Sequence, residues 1–365
     1  MKIKTSQLRT MVNVVSKINP SKTELLTEYY HLVINKSGMK LTAYDSKNWI
    51  TVVDKSVKLK GKAANEIDVI IKGDKFTKLI QKTSVEEINI TLKDSYLELK
   101  ANGTYKVPIL LHEEYKTIDE KIISSFTDDK TFSTTDFKNA YEYTKHTVST
   151  DTRDQYLTGF LFNNEQLQST DGYKVCSAPL RSIIADKEEN TPILFTKELM
   201  SLISAIPDEE FNISYKDEKV LITSKSIEIY GPTLYGVDEY PNLDSIIGVE
   251  QNSNLCKVSK SLLVAALDRL SLFITSFDRN FVTLTFDKNS LEIKTENGSC
   301  ETIPCEITGE KGVIHVQIDN LKSIASLIVG DSAELKYGSE LTLDIACGEV
   351  KLVIALAVSE EESEV

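Results

Sequence analysis

Apolar positions along this chain follow two alternating rhythms. In three segments they fall at i, i+3, i+4 and i+7: Leu8, Met11, Val12 and Val15; Phe137, Ala140, Tyr141 and Thr144; Leu263, Ala266, Leu267 and Leu270. That spacing puts them on one face of a 3.6-residue helix. A Ser or Thr suited to an N-cap stands ahead of each, namely Thr5, Ser133 and Ser259. A second set repeats the pattern at Phe76, Leu79, Ile80 and Thr83; Leu199, Leu202, Ile203 and Ile206; Leu321, Ile324, Ala325 and Ile328. Both sets return after roughly 120 to 130 residues, about one ordinary domain, and so mark an internal repeat.

Between the helices the rhythm changes to two. Alternating runs at 32–45, 160–171 and 284–294 predict a hairpin after each first helix. Runs at 88–99, 211–222 and 333–345 predict another after each second helix, and 105–111, 227–234 and 350–356 predict a closing strand. Such alternation means sheets with one buried and one wet face, as antiparallel sheets have. The fold class is therefore α+β, with three repeated domains of two helices and antiparallel sheets each. The boundaries are expected at 1–121, 122–250 and 251–358, with polar connectors near 119–130 and 245–254 and a short acidic tail at 359–365.

Composition narrows the function. No apolar run approaches the roughly 18 residues that a membrane helix needs. The N-terminus shows no signal-type apolar stretch, so a cytoplasmic protein is expected. Cys176, Cys256, Cys300, Cys305 and Cys347 form an odd set without a C-x-x-C, which speaks for a reducing compartment. Cys300 and Cys305 with His315 are conceivable metal ligands, but strand-like sequence around them argues against it, and no metal or cofactor is expected. The net charge of −13 excludes a uniformly basic nucleic-acid binder. It leaves room for a protein whose cations gather on one surface.

Catalytic signatures are missing. There is no P-loop, dinucleotide fingerprint, nucleophile elbow or H-E-x-x-H. Asp45 and Asp171 recur at equivalent repeat positions, which indicates turn chemistry rather than an acid–base pair. The chain is therefore expected not to be an enzyme.

The second repeat carries the most recognisable stretch: Tyr156-Leu-Thr-Gly-Phe-Leu-Phe162, then Thr170-Asp-Gly-Tyr-Lys-Val-Cys-Ser-Ala-Pro179, and later Glu239-Tyr-Pro-Asn-Leu-Asp244. These resemble the Tyr-Leu-x-Gly strand, the Thr-Asp-Gly-His-Arg-Leu turn and the Phe-Pro-Asp-Tyr segment of the bacterial DNA sliding clamp. With the threefold repeat, the resemblance covers the whole chain. It implies a head-to-tail homodimeric ring of six domains that encircles double-stranded DNA without reading its sequence, a DNA polymerase and a clamp loader as partners, and no membrane. Closure of this kind would leave no strand edge unpaired. A non-enzymatic structural or adhesive β-rich repeat protein is the alternative.

The resemblance also assigns residues. Lys75, Lys78 and Lys82 share one helix face, as do Lys138 and Lys145. On an isolated protein these would be ordinary solvated faces, but inside a ring they point at DNA. Lys22 stands where the family carries a DNA-touching Arg, and Tyr156 matches a channel tyrosine. A partner-peptide pocket is implied at Leu157, Thr170, Gly172, Tyr173, Lys174 and Val175. Pro241, Ser245 and Ile246 join it, with Leu352, Ile354, Ala355, Leu356 and Ala357; Val175, Ile246, Leu352 and Ile354 are expected as its floor. Phe273 and Ile274 align with the family's dimer interface. Two departures stand out: Ser245 replaces a frequent Arg, and Ile354-Ala-Leu-Ala-Val358 replaces a Met-Pro-Met-Arg-Leu ending. They point to a divergent member serving its own replicase, of the kind a phage encodes.

Overall fold

Local pattern and fold agree closely in the computed structural model, which describes residues 1–57, 66–110, 115–127, 129–185, 191–274 and 280–357. The expected tail at 359–365 and the end of the first closing strand, Leu111, lie outside these residues. The chain divides into two compact units. One comprises Met1–Lys138, Ser182–Glu189 and Phe195–Tyr235; the other comprises Asn139–Arg181, Asn190–Leu194 and Gly236–Val365.

The first unit carries one sheet. Its order begins β1 (Lys2–Lys4), β6 (Glu87–Leu92), β7 (Tyr96–Lys100), β8 (Thr104–Leu110), β5 (Ile67–Lys72) and β2 (Tyr29–Ile34). It continues through β3 (Met39–Tyr44), β4 (Trp49–Asp54), β17 (Ile227–Pro232), β16 (Lys219–Thr223), β15 (Glu210–Lys216), β9 (Asp129–Ser133) and β13 (Ser182–Ala185). Helices α1 (Thr5–Val15), α2 (Gly73–Lys82), the short α3 (Glu120–Ile123) and α5 (Lys197–Ser204) belong to it, and the unit boundary falls within α4 (Thr134–Thr144).

The second unit carries the other sheet. It starts with β14 (Ile193–Phe195), β10 (Phe160–Asn163), β11 (Gln166–Thr170), β12 (Lys174–Pro179), β25 (Val350–Ala355) and β24 (Thr342–Cys347). It ends with β23 (Ser332–Tyr337), β18 (Asn254–Ser259), β21 (Cys300–Thr308), β20 (Ser290–Thr295), β19 (Phe281–Asp287) and β22 (Gly312–Gln317). Its helices are α6 (Lys260–Ser271) and α7 (Ile318–Leu327). No described helix is long and apolar enough to cross a membrane.

The six long helices stand where the i, i+3, i+4, i+7 pattern put them. Their apolar stripes are core: Leu8, Val12, Phe76, Ile80, Phe137, Leu199, Ile203, Leu263, Leu267, Leu321 and Ile324 are all essentially inaccessible. Each such side chain removed from water contributes about 1.5 to 3 kcal/mol before ordering costs. The hairpins also fall as predicted, from β2–β3 to β23–β24, and each is antiparallel.

The helix starts differ from expectation. Ser133 does cap α4, its Oγ accepting from the Asp136 amide at 3.3 Å. The Thr5 hydroxyl instead donates to the Val85 carbonyl, and Ser259 shares a bond with Ser261. Each first helix springs straight from a strand, so its leading amide is satisfied across the repeat. Thr5, Thr134 and Lys260 donate to the carbonyls of Glu86, Glu209 and Asp331 at 2.8, 2.9 and 2.9 Å. The same bond made three times is the repeat written in backbone geometry.

Two of the three closing strands pair outside their own repeat. β17 pairs with β4, Ile227 to Tyr230 against Val52 to Trp49. β25 pairs with β12 in the same way, Lys351 to Ile354 against Ser177 to Lys174.

Candidate functional site

The turn between β11 and β12 is set by its first carboxylate. Asp171 Oδ1 accepts the amides of Tyr173 and Lys174, and Asp45 Oδ1 accepts those of Lys47 and Asn48 in the first repeat. Ser46 and Gly172 occupy matching left-handed positions, with φ of 83° and 89°. Turn chemistry therefore explains both aspartates. The other Asp171 oxygen holds the Lys174 ammonium at 3.2 Å, and Gly172 N donates to Thr170 Oγ1 at 3.0 Å. Tyr173 is thereby presented 62% exposed at the tip.

The sheet face beside this turn follows from strand register. Thr170 lies opposite Val175, Val175 opposite Val353, and Val353 opposite Asp344. Directly opposed residues share a face, so these four form one row across β11, β12, β25 and β24. The segment after β17 is pinned to this face at two points. Gln168 Nε2 donates to Asp244 Oδ1 at 3.0 Å, and Asn252 Nδ2 to Thr342 Oγ1 at 3.1 Å. Pro241 and Ile246, in that segment, are half-buried, while Ser245 is exposed.

Leu352 and Ile354 are not on this face. They lie opposite Cys176 and Lys174, on the side where Cys347 Sγ meets the Tyr143 hydroxyl of α4 and the Leu327 carbonyl of α7. Both are almost fully buried there. The reason is the period of two: a floor shared with Val175 must use Val353, the residue between them. Sequence reasoning missed Val353, because the register between β12 and β25 is set only in the folded sheet. The other residues expected here differ in exposure. Leu157, Ala355, Leu356 and Ala357 are half-buried, Thr170 and Val175 buried, and Gly172 exposed. The last strand is held by three backbone bonds: the Ala355, Leu356 and Ala357 amides donate to the Tyr173, Leu341 and His315 carbonyls at 2.8, 2.8 and 2.9 Å.

Burial shapes the electrostatics of this region. The Asp344 carboxyl is pushed above its ordinary range by desolvation, against hydrogen bonds from Asn252 and the Gly248 backbone, and its Oδ1 has no partner among the described residues. The Cys176 thiol is likewise raised by burial, and Tyr143 to about 12, by burial and then by Cys347. The His146 imidazole is lowered by burial and by Lys145. Each of these shifts favours the neutral form, as burial does.

The expected DNA-facing residues are placed unevenly. Lys75, Lys78 and Lys82 are exposed on α2, with Lys78 3.7 Å from Asp74. Lys22 is exposed in the loop after α1, and Tyr156 is half-buried. Lys138 Nζ donates to the Ile206 carbonyl at 2.8 Å, where α5 ends, and Lys145 pairs with Glu142 at 2.5 Å. Arg9 donates to the Thr83 carbonyl after α2 at 2.7 Å, and Lys260 to the Ile328 carbonyl after α7. In every repeat a cation of the first helix thus closes the C-terminus of the second, where the helix dipole favours positive charge.

Phe273 and Ile274 follow α6; Phe273 is 55% exposed and Ile274 half-buried. The conceivable metal ligands do not assemble. β21 sends Cys300 to the surface and Cys305 inward, His315 Nδ1 is bonded to Thr283, and no three His, Cys, Asp or Glu side chains gather among the described residues.

No protein-family model and no curated protein matches this chain. Solved structures do. The DNA polymerase III subunit beta from Pseudomonas aeruginosa is similar with a TM-score of 0.83 and 14% identity, over 98% of this chain and 100% of that one. The DNA polymerase sliding clamp from Bacillus subtilis gives 0.80 and 18%, over 98% of both chains. The DNA polymerase III beta subunit from Thermotoga maritima gives 0.81 and 14%, over 98% and 99%. The chain has the sliding-clamp fold along its whole length.

Proposed function

We propose that this chain is a DNA sliding clamp: a non-catalytic processivity factor that closes as a homodimeric ring around duplex DNA and tethers a polymerase. The observation that carries the reading is the pairing of closing strands across repeats. β17 of the second repeat pairs with β4 of the first, and β25 of the third pairs with β12 of the second. One more step would pair β8, the closing strand of the first repeat, with β21 of the third.

Both halves of that missing seam are open among the described residues. Thr104 to Pro108 of β8 pair on one edge with β7, and Cys300 to Pro304 of β21 on one edge with β20. A second copy placed head to tail matches each open edge with its complement, and two such seams close six repeats into a ring. Exposed Tyr105 on β8 and Phe273 after α6 supply apolar area at that seam. Open edges of this kind are otherwise a liability that folded proteins cover.

The domains are 1–121, 122–250 and 251–358. Lys22, Lys75, Lys78, Lys82 and Tyr156 face the DNA, and the groove over Val175 and Val353 receives an apolar peptide from a DNA polymerase or clamp loader in the cytoplasm. Exposed Tyr173 and half-buried Pro241, Ile246 and Ala355, with Val175 and Val353 buried, suit two or three apolar anchors. The missing Arg at Ser245 fits a clamp that serves its own replicase, as a phage clamp does, and no cofactor is needed.

Topological retention tests this reading. Protein loaded on nicked circular DNA should stay bound through gel filtration and be lost once the circle is cut. Equal retention on circular and linear DNA would exclude enclosure.

A further inference from the structure

The cations on the six long helices are not equally available. On α6 and α7 every one is engaged. Lys322 Nζ lies 2.7 Å from Asp268 Oδ1. Arg269 meets Glu301 through two bonds, at 2.7 and 2.6 Å, which hold the Glu301 carboxyl below its ordinary range. Lys260 closes the end of α7. On the exposed surface of this helix pair stand Asp268, Asp319 and Asp331. In the second repeat Lys138 and Lys145 are engaged as well.

Helix α2 is the exception. Its lysines at 75, 78 and 82 share one exposed face against a single acidic residue, Asp74. Among the described residues only Lys78 has a carboxylate nearby, at 3.7 Å with 71% of its side chain exposed. Such a surface pair contributes little and yields to a phosphate. A lysine bonded to a carboxylate at 2.7 Å must first give up that partner.

We propose that this protein grips DNA unevenly: α2 of the first repeat makes the main phosphate contacts, and α6 and α7 of the third make none. The inference rests on the clamp reading and deepens it. Each ring would hold the duplex by two lysine faces, one per copy, with stretches of neutral to acidic wall between them. Contact would be sequence-independent, because lysine is a point charge without the fork that reads base edges. The neutral wall limits the total grip, which suits a ring that must slide.

The salt dependence of binding to a duplex oligonucleotide separates the helices, since each phosphate contact adds about 0.9 to the slope of log affinity against log salt. Replacing Lys75, Lys78 and Lys82 by Ala removes both lysine faces of the ring and should lower that slope by about 5. Lys322→Ala should leave it unchanged. Asp268→Ala, which frees Lys322 in both copies, should steepen it by about 2. All three sets touch exposed side chains, and sedimentation verifies that each variant assembles as wild type does. An unchanged slope in the α2 variant, or an equal fall with Lys322→Ala, overturns the inference while leaving the clamp reading intact. No salt-dependent binding by wild type defeats both.

Discussion

Gln168 Nε2 donates to Asp244 Oδ1 at 3.0 Å and reaches Ser177 Oγ at 3.3 Å. Gln168 is buried on β11, whereas Asp244 is exposed, beside Ser245. One buried amide thus fixes where the segment carrying Pro241 and Ile246 lies on the sheet. Gln168→Met keeps the volume and removes both bonds. It should cost about 1 kcal/mol of stability and weaken peptide binding in the groove, with ring assembly unchanged. Thermal unfolding, peptide titration and sedimentation measure the three. Unaltered peptide affinity would mean that the segment is held by its packing alone.

Tyr173 and Leu352 separate a binding role from a structural one. Tyr173 is 62% exposed on the groove rim, so Tyr173→Ala should change stability by no more than about 0.5 kcal/mol. As an aromatic anchor it should nevertheless weaken the peptide at least about fivefold, since truncated anchors typically cost over 1 kcal/mol. Leu352 faces the helices, and Leu352→Ala should destabilise the fold by about 2 to 5 kcal/mol while folded protein keeps its peptide affinity. Titration at a temperature where both variants are folded decides it. A selective loss in Leu352→Ala would return that residue to the groove.

Much of this was legible in the sequence, and the misses have physical causes. Helix stripes such as Leu8, Met11, Val12 and Val15 are local, and a period of 3.6 says which side is buried. The aspartates at 45 and 171 were legible for the same reason, since an Asx turn is made within four residues. The groove floor was not. Whether Val353 or Leu352 sits beside Val175 depends on the register between strands far apart in sequence, and one residue of slip reverses every side chain. The lysines show the same limit. Lys75 and Lys138 look alike along a helix, and only the position of the Ile206 carbonyl tells the cap from the free cation. N-caps at Thr5 and Ser259 failed because the Thr5 hydroxyl turns to the distant Val85 carbonyl and the Ser259 hydroxyl to that of Ser261.

The seam should depend on Phe273. Exposed at 55% beyond α6, it contributes little to the fold of one copy. Phe273→Ala with Ile274→Ala should weaken dimerisation by about 2 to 5 kcal/mol per large truncation and leave unfolding of the single chain almost unchanged. Sedimentation over a range of concentrations should show the ring giving way to monomer. A variant that sediments like wild type would place the seam elsewhere, and the pairing of β8 with β21 would lose its support.

Acid should loosen the first unit through Glu24. Its carboxylate accepts from Lys116 at 2.7 Å, Ser46 at 2.7 Å and Tyr44 at 2.8 Å, so it ties residue 116 to the β3–β4 turn. These bonds, that from Lys116 foremost, hold the carboxyl down at about 2 from its ordinary 4.5. A depressed carboxylate stabilises the fold at pH above its unfolded value, and the contribution fades as pH falls through the folded one. The loss should therefore run from about pH 4.5 to about pH 2. A built-in reporter sits alongside: Trp49, the one tryptophan of the chain, stacks on Tyr44 at 5.9 Å and donates to the Lys116 carbonyl at 3.2 Å. Trp49 fluorescence should change across that window in wild type. Glu24→Gln cannot ionise, so it should be less stable at pH 7 and lack this part of the acid dependence. An identical acid profile in the two proteins would mean that Glu24 does not hold the 116 segment, and that the bond from Trp49 secures it without Glu24.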